Sequence, residues 1–326
     1  MAEGEKMSES STTATALVAL MKLRGVGRRG ALRIVDARSE ETDVRRYRDF
    51  IVARLAKAKL PENQLVDAWQ SAEEEIRKGD EAGIRAYSLH DTDYPARLRR
   101  IPDPPAVLFV KGSIQALHRT KAVAIVGTRE PTNYGEKVAR RSGETAAKES
   151  FAVVSGLAHG CDTFAHEGCL DAAGVGVAVM AHGLDKVYPA ANRDLAARLL
   201  DHGGALVSEY PVGTAAARAA FAERDRIQSG LSDGVLVIET DVKGGTMHTV
   251  RFAREQRRAL ACISHPEKWL MEDKTKGNQM MIAEKWATPI SDGDGLLRFL
   301  NDVGGAALPP DSADRQKPPS QGSLAL

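Results

Sequence analysis

The chain has 326 residues, 27% of them charged and 43% hydrophobic, with a formal net charge of +1. That length holds one large α/β domain with a small appendage, and the near-neutral charge excludes a global pull toward nucleic acid, so any such affinity must come from local patches. Cys161, Cys169 and Cys262 form no C-x-x-C pair, no apolar run reaches the roughly 20 residues of a membrane helix, and the polar start is the reverse of a secretory leader, so a cytoplasmic protein without membrane association is expected.

Residues 1–12 are too polar to build a core and are expected to be disordered. The pattern from 13 to 98 is helical. In "ATALVALMKLRGVGRRGALRIV" the apolar residues Leu17, Leu20, Met21 and Leu32, Ile34, Val35 flank Gly25-Val26-Gly27, which reads as two short helices joined by a glycine hairpin. A second helical pair is expected over 43–59 and 62–78, broken at Pro61, and the proline-rich "DTDYPARLRRIPDPPAVLFVKGS" reads as an extended joint.

From Lys121 the rhythm changes to short branched apolar runs, "KAVAIVG", "FAVVSG", "GVAVMAHG", "ALVSEY", "GVLVIET" and "ALACIS", separated by helical segments. Runs without polar alternation suit strands covered on both faces. The expected fold over 99–300 is therefore α/β, an extended Rossmann-like, doubly wound, mainly parallel sheet, with a small all-helical module before it. The Gly-, Pro- and Ser-rich stretch 301–326 is expected to be a disordered tail.

In a parallel sheet all strand C-termini share one edge, where ligands bind. Gly127-Thr128-Arg129, Ser155-Gly156 with Gly160, and Lys243-Gly244-Gly245-Thr246 fall there, and such turns bring backbone N–H groups and helix N-termini to an anion. Each alone is equally a simple bend in the chain. In "VVSGLAHGCDTFAH" a metal site from His159, Cys161, His166 and Cys169 lacks the spacing of zinc modules, and "IVGTREPTNYG" is not the G-x-G-x-x-G fingerprint of a dinucleotide site, so no metal and no cofactor is expected. Asp162 reads as a first-turn carboxylate able to pair with His166 four residues on. In "FAERDRIQSGLSDGVLVIE", Arg224 and Arg226 flank Asp225 at the start of an expected helix, after Phe221. Arginine forks suit phosphates and an exposed aromatic suits a base; a core Phe221 with the arginines paired to Glu223 and Asp225 remains open.

Together these segments, with "YPARLRRIPDPPAVLFVKG", "GLDKVYPAANRDL", "LVSEYPVG" and "GNQMMIAEKWATPI", resemble the DNA-processing protein A family, also called Smf, over most of the chain. The resemblance implies single-stranded DNA binding without catalysis, homodimerisation, and delivery of DNA to a RecA-type recombinase during DNA uptake or repair. By position, Arg129 matches the family's V-G-S-R turn, and Phe221, Arg224 and Arg226 match its F-P-x-R-N-R stretch. Gly156, Gly160, Asp162 and His166 match its S-G-x-A-x-G-I-D-x-x-A-H loop, with Asp162 and His166 shaping the site. Asp225 stands where the family has Asn. The hairpin of Gly25, Gly27, Arg28 and Arg29 lies in a stretch with no acidic residue and is expected to be an auxiliary DNA contact, a solvated basic face being the alternative. The competing functions are a nucleotide sensor, possible in a defence role, and a nucleotide hydrolase. In the latter Thr249 occupies the place of the required glutamate, leaving Glu209 and Glu239 as carboxylate candidates.

Overall fold

The computed structural model describes residues 9–35, 51 and 62–304. Its frame is one nine-stranded sheet in the order β1-β2-β6-β5-β4-β3-β7-β8-β9. The strands are β1 Ile84–Ser88, β2 Val107–Gly112, β3 Ala122–Val126, β4 Ala152–Ser155, β5 Gly176–Val179, β6 Ala205–Ser208, β7 Gly234–Val237, β8 Ala259–Ile263 and β9 Thr288–Ile290. From β6 to β9 every pairing is parallel, and β1 and β2 extend the β6 edge antiparallel. Strands β3 to β7 are buried along their whole length, as their unbroken Val, Ala and Ile runs require.

Alternate residues of the strands feed two layers. On one face Ala124, Val126, Val154, Val179 and Val237 pack with Leu98, Ile101, Ile227, Val250 and Met281. These come from α4 (Ala96–Arg99) and Ile101 just beyond it, and from α8 (Arg218–Gly230), α9 (Thr246–Glu255) and α10 (Asp273–Ala283). On the other face Val123, Ile125 and Val153 meet α5 (Asn133–Lys148), α6 (Cys161–Asp171) and α11 (Gly293–Gly304). Farther along that face lie α7 (Arg193–Asp201) and the N-terminal helices α1 (Glu9–Lys22), α2 (Arg28–Val35) and α3 (Glu62–Glu81).

The structure departs from the sequence reading at both ends. Helix α1 begins at Glu9, inside the stretch expected to be disordered, and α11 runs through the start of the expected tail to Gly304. The all-helical reading to residue 98 fails at β1, a strand exposed in part whose mixed burial hides it in the sequence. The extended joint holds α4 and the strand β2, because its apolar Val107–Val110 run is buried between β1 and β6. The helices also do not keep a core to themselves: Leu17, Leu20 and Trp69 belong to one apolar cluster with Val107, Phe109 and Leu206 of the sheet. The hairpin between α1 and α2 is present, with Gly25 at φ +83°, and the helix expected over 62–78 is present as Glu62–Glu81. Apart from Ile51, the expected 43–59 helix lies outside the described residues, as do 1–8 and 305–326.

After β3 the chain winds outward through β4, β5 and β6, then returns to place β7 on the other side of β3. That reversal opens a crevice above the C-termini of β3 and β7.

Candidate nucleic-acid interface

A cavity of about 870 Å³ occupies this switch point. Its walls are Gly127–Glu130 after β3, Thr240, Asp241 and Lys243–Thr246 after β7, one face of α8 and the first residues of α10. The face of α8 consists of Arg218, Phe221, Ala222, Arg224, Asp225 and Gln228, spaced as one side of a 3.6-residue helix. The Arg129 guanidinium lies 5.3 Å over the Phe221 ring. Gly244 and Gly245 lead into the N-terminus of α9 at Thr246, where the positive end of the helix dipole favours an anion, although the Met247 and His248 N–H groups already donate to the Gly244 and Gly245 carbonyls at 3.0 Å.

The lining is not uniformly basic. Arg129, Arg218, Arg224, Lys243 and Lys274 face Glu130, Asp162, Asp225, Asp241 and Asp273. Several of these acids are used by the chain itself: Asp241 accepts from the Lys243 N–H at 2.8 Å, and Asp273 pairs with Lys276. Among the described residues, Arg129, Arg218, Lys243 and Lys274 form no ion pair, so the rim cations are free to meet a ligand.

The floor is a buried polar network. Asp162 accepts from Gly156 N at 3.0 Å, and Arg224 Nη1 donates to the Val179 carbonyl at 2.8 Å, its Nε lying 3.3 Å from Asp225. With its amide oriented to suit its neighbours, Gln228 donates to Asp225 at 3.0 Å and accepts from Arg224 Nη1 at 3.1 Å and Gly156 N at 2.8 Å. Burial pushes the Asp225 carboxyl up to about 7, against the pull of Arg224 and with the help of Asp162. Burial also raises the Asp162 carboxyl, with Arg224 opposing it. A side chain at Gly156 would overlap the Arg224 guanidinium, so glycine is required by packing.

The sequence-predicted site residues therefore separate. Gly127, Thr128, Arg129, Phe221, Arg224, Lys243, Gly244, Gly245 and Thr246 line the cavity together with Asp162. Ser155, Gly156 and Gly160 stand behind its wall: Ser155 Oγ donates to the Ile125 carbonyl at 2.7 Å, and Gly160, at φ +76°, lets the turn pass beneath Thr128 and Arg129. His166 does not pair with Asp162. Its ring is fully buried, neither nitrogen has a hydrogen-bond partner, and burial lowers its pKa to about 3. It is a neutral core side chain, while Asp162 turns the other way to hold the Gly156 turn.

Arg226 is the largest correction. Helix α8 begins at Arg218, so Arg224 and Arg226 sit in mid-helix, about 200° apart around its axis. Arg226 leaves the cavity to Arg224 and clamps Glu209 at 2.6 and 2.5 Å, its Nε donating to the Asp103 carbonyl at 2.9 Å. Arg28 joins the same cluster, donating to Glu209 at 2.9 Å and to the Asp103 carboxylate, with Arg29 3.7 Å from Asp103. The N-terminal hairpin is thus docked by its basic residues onto acids of the sheet domain, and Arg28 is not a free DNA contact. Gly25 and Gly27 face open space beside it.

The two carboxylates considered for catalysis are also occupied. Glu209 is in the clamp, and Glu239, wholly buried, accepts from Thr132 N at 2.8 Å and Thr132 Oγ1 at 2.6 Å. Neither lines the cavity. The sequence reading missed Arg218 and Gln228, though the helical period from Phe221 points to both. It also missed Lys274, which reaches the rim from a distant segment with no local signal.

A family model for DNA recombination-mediator protein A matches residues 85–301. Over 173 residues the chain is 42% identical to Protein Smf of Escherichia coli, covering 53% of this chain and 46% of that protein. Over 183 residues it is 38% identical to DNA processing protein DprA of Bacillus subtilis, covering 56% and 61%. The chain thus spans about half the length of the curated relatives it matches. The structure of DNA processing protein A from Streptococcus pneumoniae superposes with a TM-score of 0.67 at 27% identity, covering 90% of this chain and 98% of that one. A Helicobacter pylori DNA processing protein A, described for its single-stranded DNA binding mode, superposes at 0.58 and 26% identity, covering 67% and 95%. The model match covers the sheet and the walls of its cavity, and the chain belongs to the DNA recombination-mediator protein A family.

Proposed function

We propose that the cavity binds single-stranded DNA, and that the protein is a non-catalytic mediator that protects single strands and passes them to a RecA-type recombinase, acting as a homodimer in the cytoplasm. The observation that carries this reading is the Arg129–Phe221 stack at the mouth, beside the open helix N-terminus at Thr246. A guanidinium and the positive end of a helix suit phosphates, and the ring suits an unstacked base. The relative described for its single-stranded DNA binding supports it.

The test is a salt titration of binding to a fluorescent single-stranded oligonucleotide. Arg129→Ala is expected to weaken binding and to flatten the slope of log affinity against log salt by about 0.7, one phosphate contact. Phe221→Ala is expected to weaken it about 5- to 150-fold with the slope nearly intact. A folded Arg129→Ala protein with unchanged affinity and slope places the DNA elsewhere. The polar floor of Asp225, Gln228 and Thr249 favours a second reading, a small nucleotide as the ligand. Competition by nucleoside monophosphates in the same titration, with a base-release assay alongside, separates the two.

A further inference from the structure

The aromatic surface does not end at Phe221. Tyr188, in the loop between β5 and α7, packs its ring against Phe221 with centroids 5.7 Å apart and planes at 54°. It is 49% exposed, one of the few large apolar side chains among the described residues left open to solvent. Behind it the buried His182 ring meets it edge-on at 6.4 Å. His182 Nδ1 lies 2.8 Å from the Gly183 carbonyl, and its Nε2 has no hydrogen-bond partner. Arg129, Phe221, Tyr188 and His182 thus form one continuous run, from the cavity mouth to a buried support.

An exposed tyrosine held on two sides carries little rotamer freedom, so a flat ligand stacked on it costs little ordering. The rings are tilted, and the half-exposed Tyr188 offers a stacking face of its own beside the Phe221 ring, over which Arg129 lies. Lys186, two residues before Tyr188, is exposed and makes no ion pair among the described residues, which supplies a cation where a backbone phosphate would pass.

We propose that Tyr188 is a second base-stacking position, taking the nucleotide next to the one on Phe221 and setting the direction in which the strand leaves the cavity over the β5–α7 loop. The proposal rests on the single-stranded DNA reading of the cavity. It extends that site beyond its phosphate ligands to a residue outside the cavity lining.

The experiment measures full-length protein binding to a fluorescent oligothymidylate and to the same strand carrying consecutive abasic residues, for wild type, Tyr188→Ala, Tyr188→Phe and Phe221→Ala. Thermal melting establishes that each variant is folded. Tyr188→Ala is expected to weaken oligothymidylate binding about 5- to 150-fold with an unchanged salt slope, and Tyr188→Phe to restore it. On the abasic strand, wild type and Tyr188→Ala are expected to bind alike. If Phe221→Ala weakens binding while Tyr188→Ala stays within twofold of wild type, the stacking role of Tyr188 is refuted and the cavity reading stands. An equal loss for Tyr188→Ala on both strands also refutes it, since the ring would then only brace Phe221. If neither alanine variant alters binding, the cavity reading falls with it.

Discussion

Asp225 makes the sharpest test of the floor network. Its carboxyl is displaced from the ordinary 3.8 to about 7, mainly by burial, so the folded protein holds a proton between those values that the unfolded chain releases. The folded state binds more protons there, so stability falls as pH rises through that window and levels off above it. The full displacement corresponds to about 4 kcal/mol. Asp225→Asn removes this dependence, while Arg224 keeps its bond to the Val179 carbonyl. Relative to wild type, the variant is therefore expected to gain about 4 kcal/mol as pH rises from 4 to 8, whatever its absolute stability at pH 4. Urea unfolding at several pH values measures this directly. Asp162, raised for the same reason, remains in both proteins, so its own burial contribution cancels and the difference reports Asp225 together with its coupling to Asp162. A phosphate near this carboxyl is repelled once it ionises, so DNA affinity is expected to fall from pH 6 to 8 in wild type and to do so less in the variant. Parallel stability profiles for the two proteins would refute a protonated Asp225 and the burial that raises it.

Gly156→Ala is expected to cost about 1–3 kcal/mol and to weaken DNA binding, because the added methyl displaces the Arg224 guanidinium; denaturation and anisotropy on one sample check both. Arg226→Ala is expected to cost about 3–5 kcal/mol by leaving the buried Glu209 without its main partner, as read by chemical denaturation. Protein that remains folded should keep the wild-type salt slope, and a flattened slope would return Arg226 to the list of phosphate ligands.

Six strands were legible because a strand covered on both faces must be apolar throughout, and "KAVAIVG" or "GVLVIET" fits little else. β1 escaped because only Ile84 and Ser88 at its ends are buried, and β9 because its three residues include a proline. At the site, the glycine turns were visible since their backbone role is local. The fate of the arginines was not. Arg224 and Arg226 look equivalent in a line of text, and only the start of α8 at Arg218 turns one toward the cavity and the other toward Glu209. The same holds for Asp162 and His166, whose four-residue spacing permits a pair that the depth of His166 in the apolar layer rules out.

The cluster of Arg28, Asp103, Glu209 and Arg226 acts as a mechanical tether. It joins the first residue of α2 to the middle of the helix that presents Phe221 and Arg224. Whatever pulls the N-terminal helices away must separate Arg28 from two carboxylates, and it then leaves Glu209, with an 8% exposed side chain, holding α8 through Arg226 alone. A shortened chain lacking those helices is therefore not the sheet domain with a contact removed. It is a sheet domain in which the acids that hold the ligand-facing helix have lost one of their partners. Weaker DNA binding by such a fragment would report a shifted α8 as readily as a missing basic surface. Replacing Arg28 by methionine in the intact chain loosens the tether while leaving Arg24, Arg29 and Arg33 in place, and so tells the two apart.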